Sequence, residues 1–176
     1  MKTEILFPEV ANLCGDLMNV TYLRQCCPEM EVVETGLKDR PAFLDGGVDL
    51  VYVGSATERG LQLMVKALAP YRAELERYVD GGGLMLATGN ALDALGEYVV
   101  IDGKRTFDGL GILKTHAEYH MMKRHNSFLL GSYQDMEIVG FKSLFGHTYP
   151  DDELANPLFR VERGLSLIHI SEPTRP

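Results

Sequence analysis

The residues between Leu84 and Gly96 read LMLATGNALDALG: an apolar run, a tight polar turn at Thr88-Gly89-Asn90, and an amphipathic segment. A strand that feeds a helix through so sharp a bend pushes one side chain into the open, a geometry that hydrolases use to present a nucleophile. Here the bend offers Thr88 and Asn90 and no sulfur. A threonine hydroxyl has a high pKa and attacks a carbonyl only with a base beside it. A second loop, Gly54-Ser55-Ala56-Thr57, follows the buried run VDLVYVG, and a third segment, Asn12 to Asn19, places Cys14 and Asp16 at a strand-to-helix passage. Ser55 and Thr57 could cradle an anion on backbone N–H groups, as in a phosphate- or nucleotide-binding module. The loop lacks the glycine density and the lysine of a P-loop, and Thr57 followed by Glu58 explains it as a helix cap.

Further candidates lie downstream. His116 and His120 stand four apart in HAEYHMMKRH, a spacing that would bring two imidazoles together on a helix, yet no HExxH or cysteine pair accompanies them. No metal is expected. Arg124 could hold a substrate carboxylate in a bidentate fork or form a surface ion pair. The acidic run Asp151-Asp152-Glu153 reads as a solvated loop. Cys14, Cys26 and Cys27 are an odd number, and adjacent Cys26-Cys27 pair poorly with each other, so no disulfide is expected.

These groups need a scaffold, and the pattern of the chain supplies one. TEILF reads as a first strand ending at Pro8, with Asp16 placed to cap the following helix. Met30 to Glu34 reads as a second strand. VDLVYVG and LMLA are continuous apolar runs of the kind buried on both faces of a sheet. Glu58 to Val79 reads as helix, with Pro70 kinking it or starting another, and Ala91 to Leu95 as the next helix. Strand and helix alternate with short links, which predicts a parallel sheet covered by helices, in the manner of a flavodoxin-like three-layer α/β fold. The loops after the strands then share the carboxyl edge of that sheet, where sites in such folds lie. Beyond Gly96 the character changes to strands, with Asp102-Gly103 a hairpin signal between YVVI and KRTF.

At 176 residues and 45% hydrophobic content the chain reads as one domain over residues 1–164. A formal net charge of -8, from 25 acids against 17 bases, argues against nucleic acid as a partner. The start has no secretory apolar stretch and no run approaches membrane-spanning length, so a cytoplasmic protein is expected, away from the membrane. The last twelve residues, LSLIHISEPTRP, fit no helical or strand period beyond LIHI. They read as the translated read-through of a transposase-based sequencing adapter. On this reading the coding sequence is truncated near Gly164 and His169 carries no function.

Taken in order, LFPEVANLCGDLMNV, DLVYVGSATERG, LATGNALDALGEY, GLGIL and EIVGFKSLFGHTY resemble class I glutamine amidotransferase domains of the cobyric acid synthase type. They are most similar to the glutaminase-like subunits that pair with a Mur-ligase-like protein in lipid II isoglutaminyl synthase. The resemblance covers about Glu4 to Gly164 and implies a glutaminase that places cysteine on the elbow, activates it with histidine and binds the oxyanion on backbone N–H groups, without a cofactor. It puts the oxyanion loop at Gly54 and Ser55, and the missing cysteine at Thr88 or Gly89. Leu144 stands where GFxxHxG of relatives has histidine, and the family's catalytic histidine belongs downstream of Arg160 to Gly164. The resemblance therefore implies a domain without glutaminase activity, with Asn12, Cys14, Asp16 and Asn19 on a surface for a ligase subunit or for glutamine or a related ligand. The alternatives are an active amidotransferase using Cys14, supplying ammonia for cell-wall or cobalamin-type amidation, and the phosphate or nucleotide binder above.

Overall fold

The structure, a computed structural model, describes residues 1–150 and 160–164 and divides into two compact units, one ending at Leu95 and the other beginning at Gly96. The acidic run at Asp151 and the tail 165–176 lie outside the described residues.

The first unit is a parallel sheet flanked by helices. Its strands are β1 (Lys2–Leu6), β2 (Glu31–Thr35), β3 (Leu50–Val53) and β4 (Leu84–Ala87), in the order β2-β1-β3-β4. Every pairing is parallel and in unbroken register. The connecting helices are α1 (Met18–Cys26), α2 (Glu58–Leu68), α3 (Arg72–Asp80) and the short α4 (Ala91–Leu95). Pro70 sits in a 3-10 turn between α2 and α3, so the stretch expected as one kinked or two helices is two. Leu61, Met64 and Leu68, on one face of α2, and Leu75 of α3 are fully buried. Each contributes about 1.5–3 kcal/mol by leaving water. β3 is buried throughout, as its apolar run predicts.

The expectation fails for LMLA. β4 is an edge strand, and Leu84 remains 62% exposed. Sheet order, which local composition does not encode, decides this: among the described residues β4 has a neighbour on one side only.

One buried acidic side chain joins β1, β2 and the following turn. Glu4 of β1 is fully buried, and its carboxylate accepts from the Thr35 hydroxyl at 2.5 Å and from the backbone N–H groups of Ala42 and Phe43 at 2.6 and 2.7 Å. Those two amides open the 3-10 turn Ala42–Asp45, whose first N–H groups have no partner within the turn. The carboxylate supplies it.

Among its described residues the second unit has only strands: β5 (Tyr98–Ile101), β6 (Lys104–Asp108), β7 (Thr115–Tyr119), β8 (His125–Tyr133), β9 (Met136–Leu144), β10 (Gly146–Pro150) and β11 (Arg160–Arg163). They form a four-stranded sheet, β10-β7-β5-β6, and a three-stranded sheet, β11-β8-β9. Asp102 and Gly103 both have positive φ in the predicted hairpin between β5 and β6. The two sheets share one ribbon. Gly146 pairs with Tyr119 and Leu144 with His125, so five residues, His120 to Arg124, lie opposite Phe145 alone. The His120 N–H donates to the Phe145 carbonyl at this joint, at 2.9 Å.

Among the described residues no helix is long and apolar enough to cross a membrane. Replacing Glu4 tests the buried side chain: Glu4→Ala strands two buried donors and a part-buried one and is expected to lower stability by about 3 kcal/mol, and Glu4→Gln by less. The midpoint of urea unfolding reads the difference.

Candidate functional site

Three segments meet past the carboxyl ends of β1, β3 and β4: residues 7–17, the loop Gly54 to Thr57, and the turn Thr88 to Asn90. Close backbone packing brings them together. A Cβ on Gly54 would stand 2.2 Å from the Ala11 carbonyl oxygen, so no other residue fits there. Gly89 has a φ of 55° and would place a Cβ 2.7 Å from that of Ser55. The loop backbones then interlock: the Leu13 N–H donates to the Ser55 carbonyl at 2.9 Å, and the Ser55 hydroxyl returns a bond to the Leu13 carbonyl at 3.1 Å.

Asp16 occupies the centre of this arrangement. Its Oδ2 accepts from the Ser55 N–H at 2.7 Å and from the Thr88 hydroxyl at 2.9 Å. The helix α1 instead starts after Leu17, with no side chain capping it. The predicted capping role of Asp16 is therefore corrected, because a long-range pair of donors outcompetes the local one. Burial pushes the Asp16 carboxyl up, but the hydrogen bonds from Ser55 and Thr88 outweigh it and hold the group below its ordinary value of 3.8.

Asn90 makes the second clasp. Its Oδ1 accepts from the Ala56 N–H at 2.9 Å and its Nδ2 donates to the Ala56 carbonyl at 2.8 Å. Thr57 caps α2 by accepting from the Gly60 N–H at 3.1 Å, as its position before Glu58 predicts. The N–H groups of Ser55 and Ala56, which an anion or oxyanion cradle would need, are thus both engaged by the chain's own side chains.

Beneath the turn lies Tyr52, fully buried, whose hydroxyl donates to the Asp16 carbonyl at 2.7 Å and accepts from Asn19 Nδ2 at 3.2 Å. It also stands 3.2 Å from the Thr88 hydroxyl. Each hydroxyl owns one proton and has a shorter acceptor elsewhere, so this contact is the weakest of the set. Tyr52 was missed as a site residue. Its signal is the one polar-tipped side chain within the apolar strand LVYV.

Other sequence candidates fall as follows. The Asn12 side chain accepts from the Leu17 N–H at 3.0 Å and shapes the loop. Cys14 is exposed, with a φ of 59° in the 3-10 turn Leu13–Gly15. The sequence up to Leu95 contains no histidine. Arg124 lies in the second unit, its guanidinium 4.5 Å from the centre of the Phe145 ring.

The helical reading of His116 and His120 is corrected. His116 belongs to strand β7, and four residues of extended chain span about 13 Å rather than one helical turn. His116 stacks between Tyr98 and Tyr149, at centroid distances of 5.0 and 5.3 Å. His125 and His147 meet edge to face at 5.3 Å. Burial holds His147 below its ordinary 6.5, with the charges of His125, His120 and Lys142 acting in the same direction. Among the described residues no three metal-binding side chains gather.

Asp16→Asn is expected to cost about 1 kcal/mol near neutral pH, the scale of hydrogen bonds to a partly solvated carboxylate. Because the folded pKa is lowered, that stabilisation is complete above about 3.8 and disappears as pH falls through the folded value. Unfolding midpoints of the two proteins should converge in acid and separate above that window.

No family model matches this chain. It is 28% identical over 145 residues to the lipid II isoglutaminyl synthase (glutamine-hydrolyzing) subunit GatD of Staphylococcus aureus (strain N315), a match covering 80% of this chain and 58% of that protein. The chain thus spans a little over half the length of this curated relative. A solved glutamine amidotransferase shares the fold with a TM-score of 0.51 at 16% identity, covering 80% of this chain and 70% of the other. The parallel sheet with flanking helices and this likeness agree on a glutamine amidotransferase-like fold, and the sequence is similar to that of GatD over 145 residues.

Proposed function

We propose that this domain acts as the amidotransferase-like partner subunit of a Mur-ligase-like amidating enzyme and does not itself hydrolyse glutamine. The observation that carries this reading is the double engagement of the loop after β3. Amide hydrolysis needs a nucleophile, a base and free donors aimed at the tetrahedral oxyanion. At this site Ser55 donates its N–H to Asp16, Ala56 donates its N–H to Asn90, and Thr88 donates its hydroxyl to Asp16. A threonine whose proton already rests on a carboxylate of lowered pKa has only a weak base to pass it to. The likeness to a protein named as a subunit supports a partner role, and the surface formed by Asn12, Cys14 and Asn19 is where a ligase subunit would dock.

The test is release of ammonia from glutamine by the purified chain, with and without a thiol-alkylating reagent and with a Mur-ligase-like subunit present. Background release in all cases is expected. Robust turnover abolished by alkylation would point to Cys14 and overturn the proposal. Thr88→Cys alone is expected to leave ammonia release at background, because the two loop donors remain engaged. Gain of turnover by several orders of magnitude would show that sulfur was the only missing part.

A further inference from the structure

Side chains as well as backbone fasten the two sheets of the second unit at their joint. The His120 N–H donates to the Phe145 carbonyl at 2.9 Å, and the Arg124 guanidinium lies over the Phe145 ring. A pair of imidazoles adds to these. His125 opens β8, in the three-stranded sheet, His147 is the second residue of β10, in the four-stranded sheet, and their rings meet edge to face at 5.3 Å. This contact joins one sheet to the other across the break in the ribbon.

The pair is built for neutral rings. His125 Nε2 is buried without a hydrogen-bond partner. An imidazolium carries a proton on both nitrogens, so charging this ring would bury an N–H that has no acceptor. The neighbourhood is also cationic. Half-buried Lys142 of β9 pairs with Ser127 and so shares a face with His125 one rung away, and the connection between the sheets adds His120, Lys123 and Arg124. Two carboxylates face the joint from other strands and turns. Glu118 of β7 stands opposite His147 and shares its field with Tyr149, and the Asp102 Oδ1 accepts from the Met121 N–H at 3.1 Å. They do not reverse the balance: burial, then His125, His120 and Lys142, hold His147 below its ordinary value.

We propose that this joint is a proton-operated hinge: neutral His125 and His147 hold the two sheets of the second unit together, and protonation drives the rings apart and lets the sheets swing about Phe145. Each sheet keeps its own ladders, β7 with β10 and β8 with β9, so the hinge opens without unfolding either. The sign follows from proton linkage. An open joint binds a proton at the ordinary imidazole value of 6.5 and a closed one only below it, so closure is undiminished above 6.5 and weakens as pH falls from there to the lower folded value. The first unit holds no histidine up to Leu95 and should not respond over this range.

Amide hydrogen exchange on the full chain tests this, with the His120 amide as reporter because its bond to Phe145 closes the joint. Its protection factor, corrected for the intrinsic rate, is expected to fall roughly fivefold to tenfold between about pH 7.5 and about pH 5.5, the change produced by one proton taken up on opening. Two amides serve as controls and should keep their protection: Glu97, bonded to the Thr115 carbonyl away from the joint, and Thr88, bonded to the Val53 carbonyl in the first unit. The double variant His125→Phe, His147→Phe retains two rings in contact and should hold the His120 amide constant over the same range. If that variant does not fold, ring titrations of the unaltered chain by NMR decide, and the fall must track the His147 resonance rather than that of His116. Constant protection of His120 in the unaltered chain overturns the proposal. So does an equal fall in the double variant, an equal fall at Glu97 and Thr88, or a fall that tracks His116.

Discussion

The carboxylate of Asp16 ties the ends of two strands to the loop that begins α1. Removing it would leave the Ser55 amide and the Thr88 hydroxyl without their acceptor, and nothing else in the three segments replaces that oxygen. The backbone around it is held in costly shapes. Phe7 and Cys14 both lie at positive φ, a region that non-glycine residues seldom occupy. Such conformations persist only where the surroundings over-determine them. The interlock of Leu13 with Ser55, the Asn12 bond to Leu17 and the Asp16 bridge supply that determination.

The same network governs what chemistry the edge of the sheet can host. A site that binds a developing negative charge must keep its donors free until the charge arrives, because their value lies in being preorganised and unspent. Here two side chains of the protein, Asp16 and Asn90, already fill that role. The first brings a full charge and the second a matched amide. A ligand competing with either would have to replace short hydrogen bonds that cost no entropy of association. On the proposed function, these loops hold a fixed surface and do not admit a substrate.

Much of this was legible from residue patterns. The alternation of strand and helix, the buried run at β3, the Thr57 cap and the Asp102-Gly103 hairpin each rest on local signals, and each stands in the structure. What escaped depends on contacts between distant parts of the chain. Asp16 looks like a helix cap because its neighbours are helical, yet its acceptor oxygen reaches residues 39 and 72 positions away. LMLA looks central because it is apolar, but composition says nothing of strand order. The spacing of His116 and His120 is helical only if the segment is a helix, and the β-branched and aromatic residues around it pair as a strand instead. Tyr52 was hidden by burial itself, since a tyrosine inside an apolar run reads as packing until its hydroxyl is traced.

The joint at Phe145 carries a consequence for how the second unit tolerates change in length. Side chains on a strand alternate faces, so one residue added or lost within β9 would turn Phe141 and Val139 to the opposite side and spoil every pair beyond the insertion. Between Met121 and Arg124 no ladder partner is at stake, because that arm already bulges past a single residue. Insertions and deletions should therefore accumulate at this elbow of the ribbon, which works as an expansion gap between two stretches whose registers are rigid.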